Sequence, residues 1–173
     1  WFNPTINSYK RINAPVTASG ATWSPNTITY SGNNRTHMIR VPGPGRFELR
    51  LMDGATNPYL LQAGIIAAGL DGMNRKRNPG KPVHVNMYEE SHKVKGAKKL
   101  PLTLEKSLDH LSKSKVMQSA FGKNIINSYV KLKNKEIQKY NSATEKKIGF
   151  RGAKKKYKGN IITQWEKDNT LDC

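Results

Sequence analysis

Residues 46–51 alternate strictly between charged and apolar: Arg46-Phe47-Glu48-Leu49-Arg50-Leu51. Successive side chains of an extended chain point to opposite faces, so the run reads as a strand with Arg46, Glu48 and Arg50 on one side and Phe47, Leu49 and Leu51 on the other. Just upstream, Pro42-Gly43-Pro44-Gly45 forces a tight connection. Before that lies a second β-rich run, His37-Met38-Ile39-Arg40-Val41, in which Met38 and Arg40 share a face. An antiparallel pair is the natural arrangement, with one charged face opposed to one apolar face. A solvated polar face is the plainer account of the charge.

The identity of the charges argues for more. Between Trp1 and Leu51 the cations are Arg11, Arg35, Arg40, Arg46 and Arg50 plus a single lysine, Lys10, and Glu48 is the only acidic residue. A planar guanidinium holds carboxylate or phosphate through two parallel bonds, which an ammonium cannot do. A lone carboxylate among such cations is best explained if a divalent cation and an anionic substrate share the space with it.

The remainder reads as helical. Asn57 suits an N-cap, Pro58 a first turn and Gly72 an end. Between them Leu60, Leu61, Ala63, Ile65, Ile66, Ala67, Ala68 and Leu70 leave almost no polar face, which predicts a helix buried in a body larger than this chain supplies. Residues 74–100 form a polar loop. Leu104, Leu108 and Leu111 recur at helical spacing behind Thr103, and Lys115 to Phe121 is a short helix stopped by Gly122. Asn124 to Tyr140 places Ile125, Ile126, Tyr129, Val130, Leu132 and Ile137 on one broad face. Residues 145–159 have no period and carry Lys154-Lys155-Lys156, which predicts an exposed loop or partly disordered insertion. A last short helix is expected over Trp165-Glu166 to Leu171. The division is then 1–144, a lysine-rich insertion 145–159 and a tail 160–173.

With 173 residues the chain suits one domain or a large piece of one. Its net charge of +18 would ordinarily suggest nucleic acid or an anionic membrane. The excess lies mostly from Lys93 onward, away from the arginines. Cys173 can form no internal disulfide, which fits a reducing compartment. Trp1 to Lys10 has no secretory pattern, and the longest apolar stretch, Tyr59 to Leu70, is interrupted by Gln62 and falls short of the ~20 residues a bilayer needs. A cytoplasmic location and no membrane partner are expected, and the start without methionine suggests a piece of something longer.

Four segments, in order, resemble the glutamine synthetase family: Asn3-Pro4-Thr5-Ile6-Asn7-Ser8-Tyr9-Lys10-Arg11; Asn34-Arg35 with Ile39-Arg40-Val41-Pro42; Arg46-Phe47-Glu48-Leu49-Arg50; and Asp53 to Leu60 followed by Ala67 to Gly72. Ser19 to Trp23 and Gly32 to His37 resemble its type III branch. The likeness is close over 1–90, fair to Tyr140 and poor in the insertion. It implies an α+β fold, the C-terminal part of a catalytic domain: an antiparallel sheet with a charged concave face packed by helices on its apolar side.

The activity so implied is ATP-dependent ligation of ammonia to the glutamate side chain through γ-glutamyl phosphate. Phosphoryl transfer leaves negative charge on peripheral oxygens, so catalysis is largely the placement of cations. By resemblance Arg11 holds the glutamate carboxylate. Arg35 and Arg40 hold the ATP phosphates, with Arg46 beside the nucleotide. Glu48 ligates Mg2+ or Mn2+, and Arg50 orients the side-chain carboxylate, making Arg35 and Arg50 the catalytic pair. A homo-oligomer, a dodecamer for the full-length enzyme, is also implied.

The sequence departs from the family in two places. Ile12 to Thr17 lacks the carboxylate that helps deprotonate ammonium in many members, which opens methylamine as an alternative donor. The family's remaining metal ligands lie upstream of the motifs present here, so this chain alone is expected to be inactive. Tyr88 resembles a position adenylylated in some members, though its flanks differ. His37, His84, His92 and His110 are too scattered for a metal site and are read as surface or packing histidines. The rival reading is a basic nucleic-acid binder using Lys146 to Lys158 with Phe150 and Tyr157 for stacking, and a third is a purely structural fragment.

Overall fold

A computed structural model describes residues 1–12, 24–148 and 163–170. Its sheet centres on a hairpin, with β1 Tyr30–Ser31, β2 Ile39–Gly43 and β3 Arg46–Leu49 in the order β1-β2-β3. The β2–β3 turn has Pro44 and Gly45 at its centre. Gly45 adopts a φ of 77°, the conformation a type II turn requires at its third residue and a side chain resists. Register runs Ile39 to Leu49 and Arg40 to Glu48, then shifts so that Gly43 meets Arg46. Val41 and Pro42 therefore face the single residue Phe47 across a bulge, which turns the hairpin tip.

The α+β class predicted above holds. In two details the sheet differs from expectation. β1 pairs with β2 in parallel, Tyr30 beside Ile39, because the short loop 32–38 doubles back before β2 begins. Among the described residues the apolar face is covered only in part: Leu49 and Leu51 are half-buried, Leu51 beside Tyr9, Ile12 and Leu111, while Phe47 is 62% and Val41 39% exposed.

The helices pack chiefly on one another. α1 (Ser8–Ile12) contributes Tyr9 and Ile12 to a core with Leu104 and Leu108 of α3 (Leu104–Lys113) and Ile137 of the long α5 (Lys123–Ile148). Thr103 caps α3 by accepting from the Lys106 amide, and Leu104, Leu108 and Leu111 are buried at the spacing that puts them on one face. α4 (Lys115–Phe121) ends at Gly122, as expected, with a φ of 79°.

α5 runs on past Tyr140. Its apolar face is narrower than predicted, since Ile126 is fully buried while Ile125 and Leu132 are exposed. Residues 145–148 continue this helix, and 149–159 of the lysine-rich stretch lie outside the described residues.

Helix α2 (Pro58–Asn74) starts as read, with Asn57 accepting from the Tyr59 and Leu60 amides and Pro58 in the first turn. It continues past Gly72 to Asn74. Only Gly64 is buried, where Trp1 and Phe2 pack so closely that a Cβ would lie 3.1 Å from both. Tyr59, Ile66, Leu70 and Met73 stand exposed.

The last helix, α6 (Gln164–Thr170), falls where a terminal helix was expected, though Leu171 lies outside the described residues. Thr163 and Glu166 form a reciprocal capping box. Glu166, with no exposed surface, also lies 3.5 Å from Lys10 of α1.

Candidate active site

The β2–β3 register decides the site. Arg40 lies directly across the ladder from Glu48, and Arg50 lies two residues along, so all three project from one face. Arg40 Nη1 donates to Glu48 Oε2 at 2.6 Å and Arg50 Nε to Oε1 at 2.9 Å. Each carboxylate oxygen thus carries one guanidinium, and those two bonds hold the Glu48 pKa below the usual carboxylate value. The arginine side chains are about 15% exposed and the Glu48 side chain 44%, which leaves the carboxylate open to solvent from above.

Other groups fix these arginines from behind. Asn33 Oδ1 accepts from Arg40 Nε at 2.8 Å and also from Nη2. Arg50 Nη1 donates to the main-chain carbonyl of Arg35. Of the five N–H groups on Arg40, three are used in these bonds, which leaves one on each terminal nitrogen for an anion.

Arg11 reaches the same neighbourhood from α1. Its Nη2 donates to the carbonyls of Leu51 and Met52, at 2.6 and 2.8 Å, immediately after Arg50. Burial lowers its pKa, with Asp53 opposing and Arg50 adding to the effect. Its Nε is buried and, among the described residues, without a hydrogen-bond partner.

The Arg35 and Arg46 side chains are exposed. Arg35 is joined to the cluster through its carbonyl, and Arg46 sits at the hairpin tip, apart from Glu48. The structure therefore brings the Arg11, Arg40, Glu48 and Arg50 side chains into one neighbourhood, reaches Arg35 only through its main chain, and leaves Arg46 at the hairpin tip.

A divalent cation could take Glu48 as one oxygen ligand. The group is anionic, half-open and keeps lone pairs beyond those the arginines use, which suits a hard cation. Among the described residues no set of three His, Cys, Asp or Glu side chains converges on a metal position. Among the described residues Glu48 could serve as one ligand, short of a complete metal site.

Some residues here were not expected. Asn33 orients Arg40, and its only sequence signal is its place beside Asn34-Arg35. Tyr88 is half-buried and close enough to Arg50 and Arg11 that their charges offset part of the rise that burial imposes on its phenol. His37, read as a surface or packing histidine, is buried without exposed surface and bonded at both ring nitrogens.

A sheet face that gathers arginines round one carboxylate presents fixed donors that could hold a multiply charged anion. Comparison with known proteins narrows this. The family model for the glutamine synthetase catalytic domain matches residues 1–148. A glutamine synthetase from Rhizobium leguminosarum bv. phaseoli is 53% identical over 170 residues, covering 98% of this chain and 35% of the relative. A glutamate–methylamine ligase from Methyloversatilis universalis is 45% identical over 140 residues, 79% of this chain and 31% of the relative.

The solved GmaS/ADP complex superposes with a TM-score of 0.76 at 48% identity, over 99% of this chain and 35% of that one. The chain belongs to the glutamine synthetase catalytic-domain family. It spans about a third of the length of these relatives. Among the described residues no helix is long and apolar enough to cross a membrane.

Proposed function

We propose that the full-length protein joins ammonia to the side-chain carboxylate of glutamate at the expense of ATP. The carboxylate oxygen attacks the terminal phosphorus and ADP leaves. Ammonia then attacks the acyl carbon of γ-glutamyl phosphate and expels phosphate, giving glutamine. The observation that carries this reading is the Arg40–Glu48–Arg50 clamp, with Arg35 joined to it through a peptide carbonyl.

Each residue has work that its placement suits. Arg11 holds the glutamate carboxylate beside the strand end. Arg35, exposed at the rim, and Arg40, with its two spare N–H groups, embrace the ATP phosphates, while Arg46 flanks the nucleotide. Arg50 orients the reacting carboxylate and stabilises the charge that develops during transfer. Preorganised donors of this kind need no rearrangement when charge builds up. Glu48 would hold Mg2+ or Mn2+, which supplies Lewis-acid neutralisation of phosphate charge when bound.

A second reading has support of its own. The methylamine ligase is 45% identical to this chain over 140 residues, and methylamine would replace ammonia in the second step. We take the working form to be a cytoplasmic homo-oligomer, a dodecamer in size. Purified full-length protein with ATP, Mg2+, glutamate and either amine separates the readings. Glutamine with ammonia supports the first and γ-glutamylmethylamide with methylamine the second. No ATP-dependent amide from either amine would overturn both.

A further inference from the structure

The four residues Asn34-Arg35-Thr36-His37 behave unequally. Asn34 Nδ2 donates to the Val85 carbonyl at 3.1 Å. Thr36 Oγ1 accepts from the Met87 amide at 2.9 Å and donates to Asn34 Oδ1 at 2.7 Å. His37 completes the set, with Nε2 3.0 Å from the same Val85 carbonyl and Nδ1 2.9 Å from Thr29 Oγ1. A carbonyl only accepts, so Nε2 carries the hydrogen, and in the neutral ring Nδ1 accepts from the Thr29 hydroxyl. Thr36, His37 and Met87 are all buried. Of the four, Arg35 alone is exposed.

An apolar residue would fill the His37 position without the cost of desolvating an imidazole. A polar network that is fully satisfied and buried specifies one geometry in return. Here that geometry belongs to Arg35. It is tied on its N-terminal side by Asn34 and on its C-terminal side by Thr36 and His37 to Val85 and Met87, and Arg50 Nη1 donates to its own carbonyl.

We propose that His37 is a positioning residue for Arg35: through Val85 and Thr29 it fastens the loop 34–37 so that the Arg35 guanidinium meets the transferring phosphoryl group from one fixed direction. This rests on the reading of Arg35 as a phosphate-binding residue. Displacing a transition-state group by about an ångström can cost on the order of a hundredfold in rate. His37→Ala should therefore lower kcat by about tenfold or more while the glutamate KM stays within about twofold. His37→Gln, which keeps an N–H near the Nε2 position, should recover most of the loss.

The decisive test is a double-mutant cycle in the full-length enzyme, read by phosphate release, with His37→Ala, Arg35→Ala and the pair. If His37 acts through Arg35, its loss adds little once Arg35 is gone. Additive effects, or a fully active His37→Ala enzyme, overturn the proposal while leaving the reading of Arg35 intact. A fully active Arg35→Ala enzyme overturns that reading and the proposal with it. Should His37→Ala fail to fold, Thr36→Val removes the hydroxyl that accepts from Met87 and enters the same cycle, with the same non-additivity expected and additivity again fatal.

Discussion

Replacing Arg50 by lysine keeps the charge and removes the fork, so it isolates what the guanidinium geometry contributes. In the structure Nε donates to Glu48 Oε1 at 2.9 Å while Nη1 donates in another direction, to the Arg35 carbonyl. One ammonium at the end of a flexible stem cannot serve both positions at once. A hydrogen bond to a charged group is worth about 1.5–3 kcal/mol, and the Arg50 side chain is only 14% exposed, so solvent replaces the lost bond poorly. Expressed in the transition state, that loss is a factor of about 10–150 in rate. Arg50→Lys in the full-length enzyme should thus lose roughly a hundredfold in kcat, with Arg50→Ala no more than several-fold worse. Turnover is measured by phosphate release at saturating ATP and glutamate. A lysine enzyme within about twofold of wild type would show that charge alone suffices and that the divergent donors are incidental.

Three further outcomes follow from the same geometry. Glu48→Gln should weaken Mg2+ or Mn2+ binding about tenfold or more in titration calorimetry with the fold nearly intact, because an amide offers a hard cation oxygen without charge; unchanged affinity removes Glu48 from the metal. Burial holds the His37 pKa below its ordinary value of 6.5, with His84 adding to the effect and the Val85 carbonyl opposing it. Below that pH the unfolded chain takes up a proton the folded one refuses, so wild-type stability should fall from about pH 6.5 downward, and His37→Gln should flatten that slope in urea titrations. Deleting residues 145–159 should leave turnover unchanged, with chromatographic mass reporting assembly; turnover collapsing in an intact oligomer would give this segment a part in the chemistry.

Much of the hairpin was legible because its signals are local. The alternation at 46–51 and the glycine needed at position 45 lie within a dozen residues of each other, and together they set Arg40 opposite Glu48. The buried leucines of α3 were readable for the same reason. Where the sequence reading fell short, the deciding partner was distant or carried no side-chain signature. β1 is two residues long, too short for any periodicity to show its direction. α5 extends beyond Tyr140 on Glu145-Lys146-Lys147, good helix formers without an apolar rhythm. The His37 network depends on a carbonyl 48 residues away, which no residue type announces. Helix α2 matched its apolar composition in extent but not in burial, since the surface it would pack against is not among the described residues.

The contact between Lys10 and Glu166 has a consequence for the order in which the protein matures. Glu166 is entirely buried and helps close the first turn of α6, while Lys10 precedes Arg11 on a helix of only five residues. So short a helix has little stability of its own. The two partners lie far apart in sequence, and contacts at such separation form late because a long loop must be closed first. During synthesis residue 10 precedes residue 166, so this tie waits until α6 has been made. A nascent chain that stalls before Glu166 holds the arginine expected to bind glutamate only through the Tyr9 and Ile12 core and the Arg11 bonds to Leu51 and Met52.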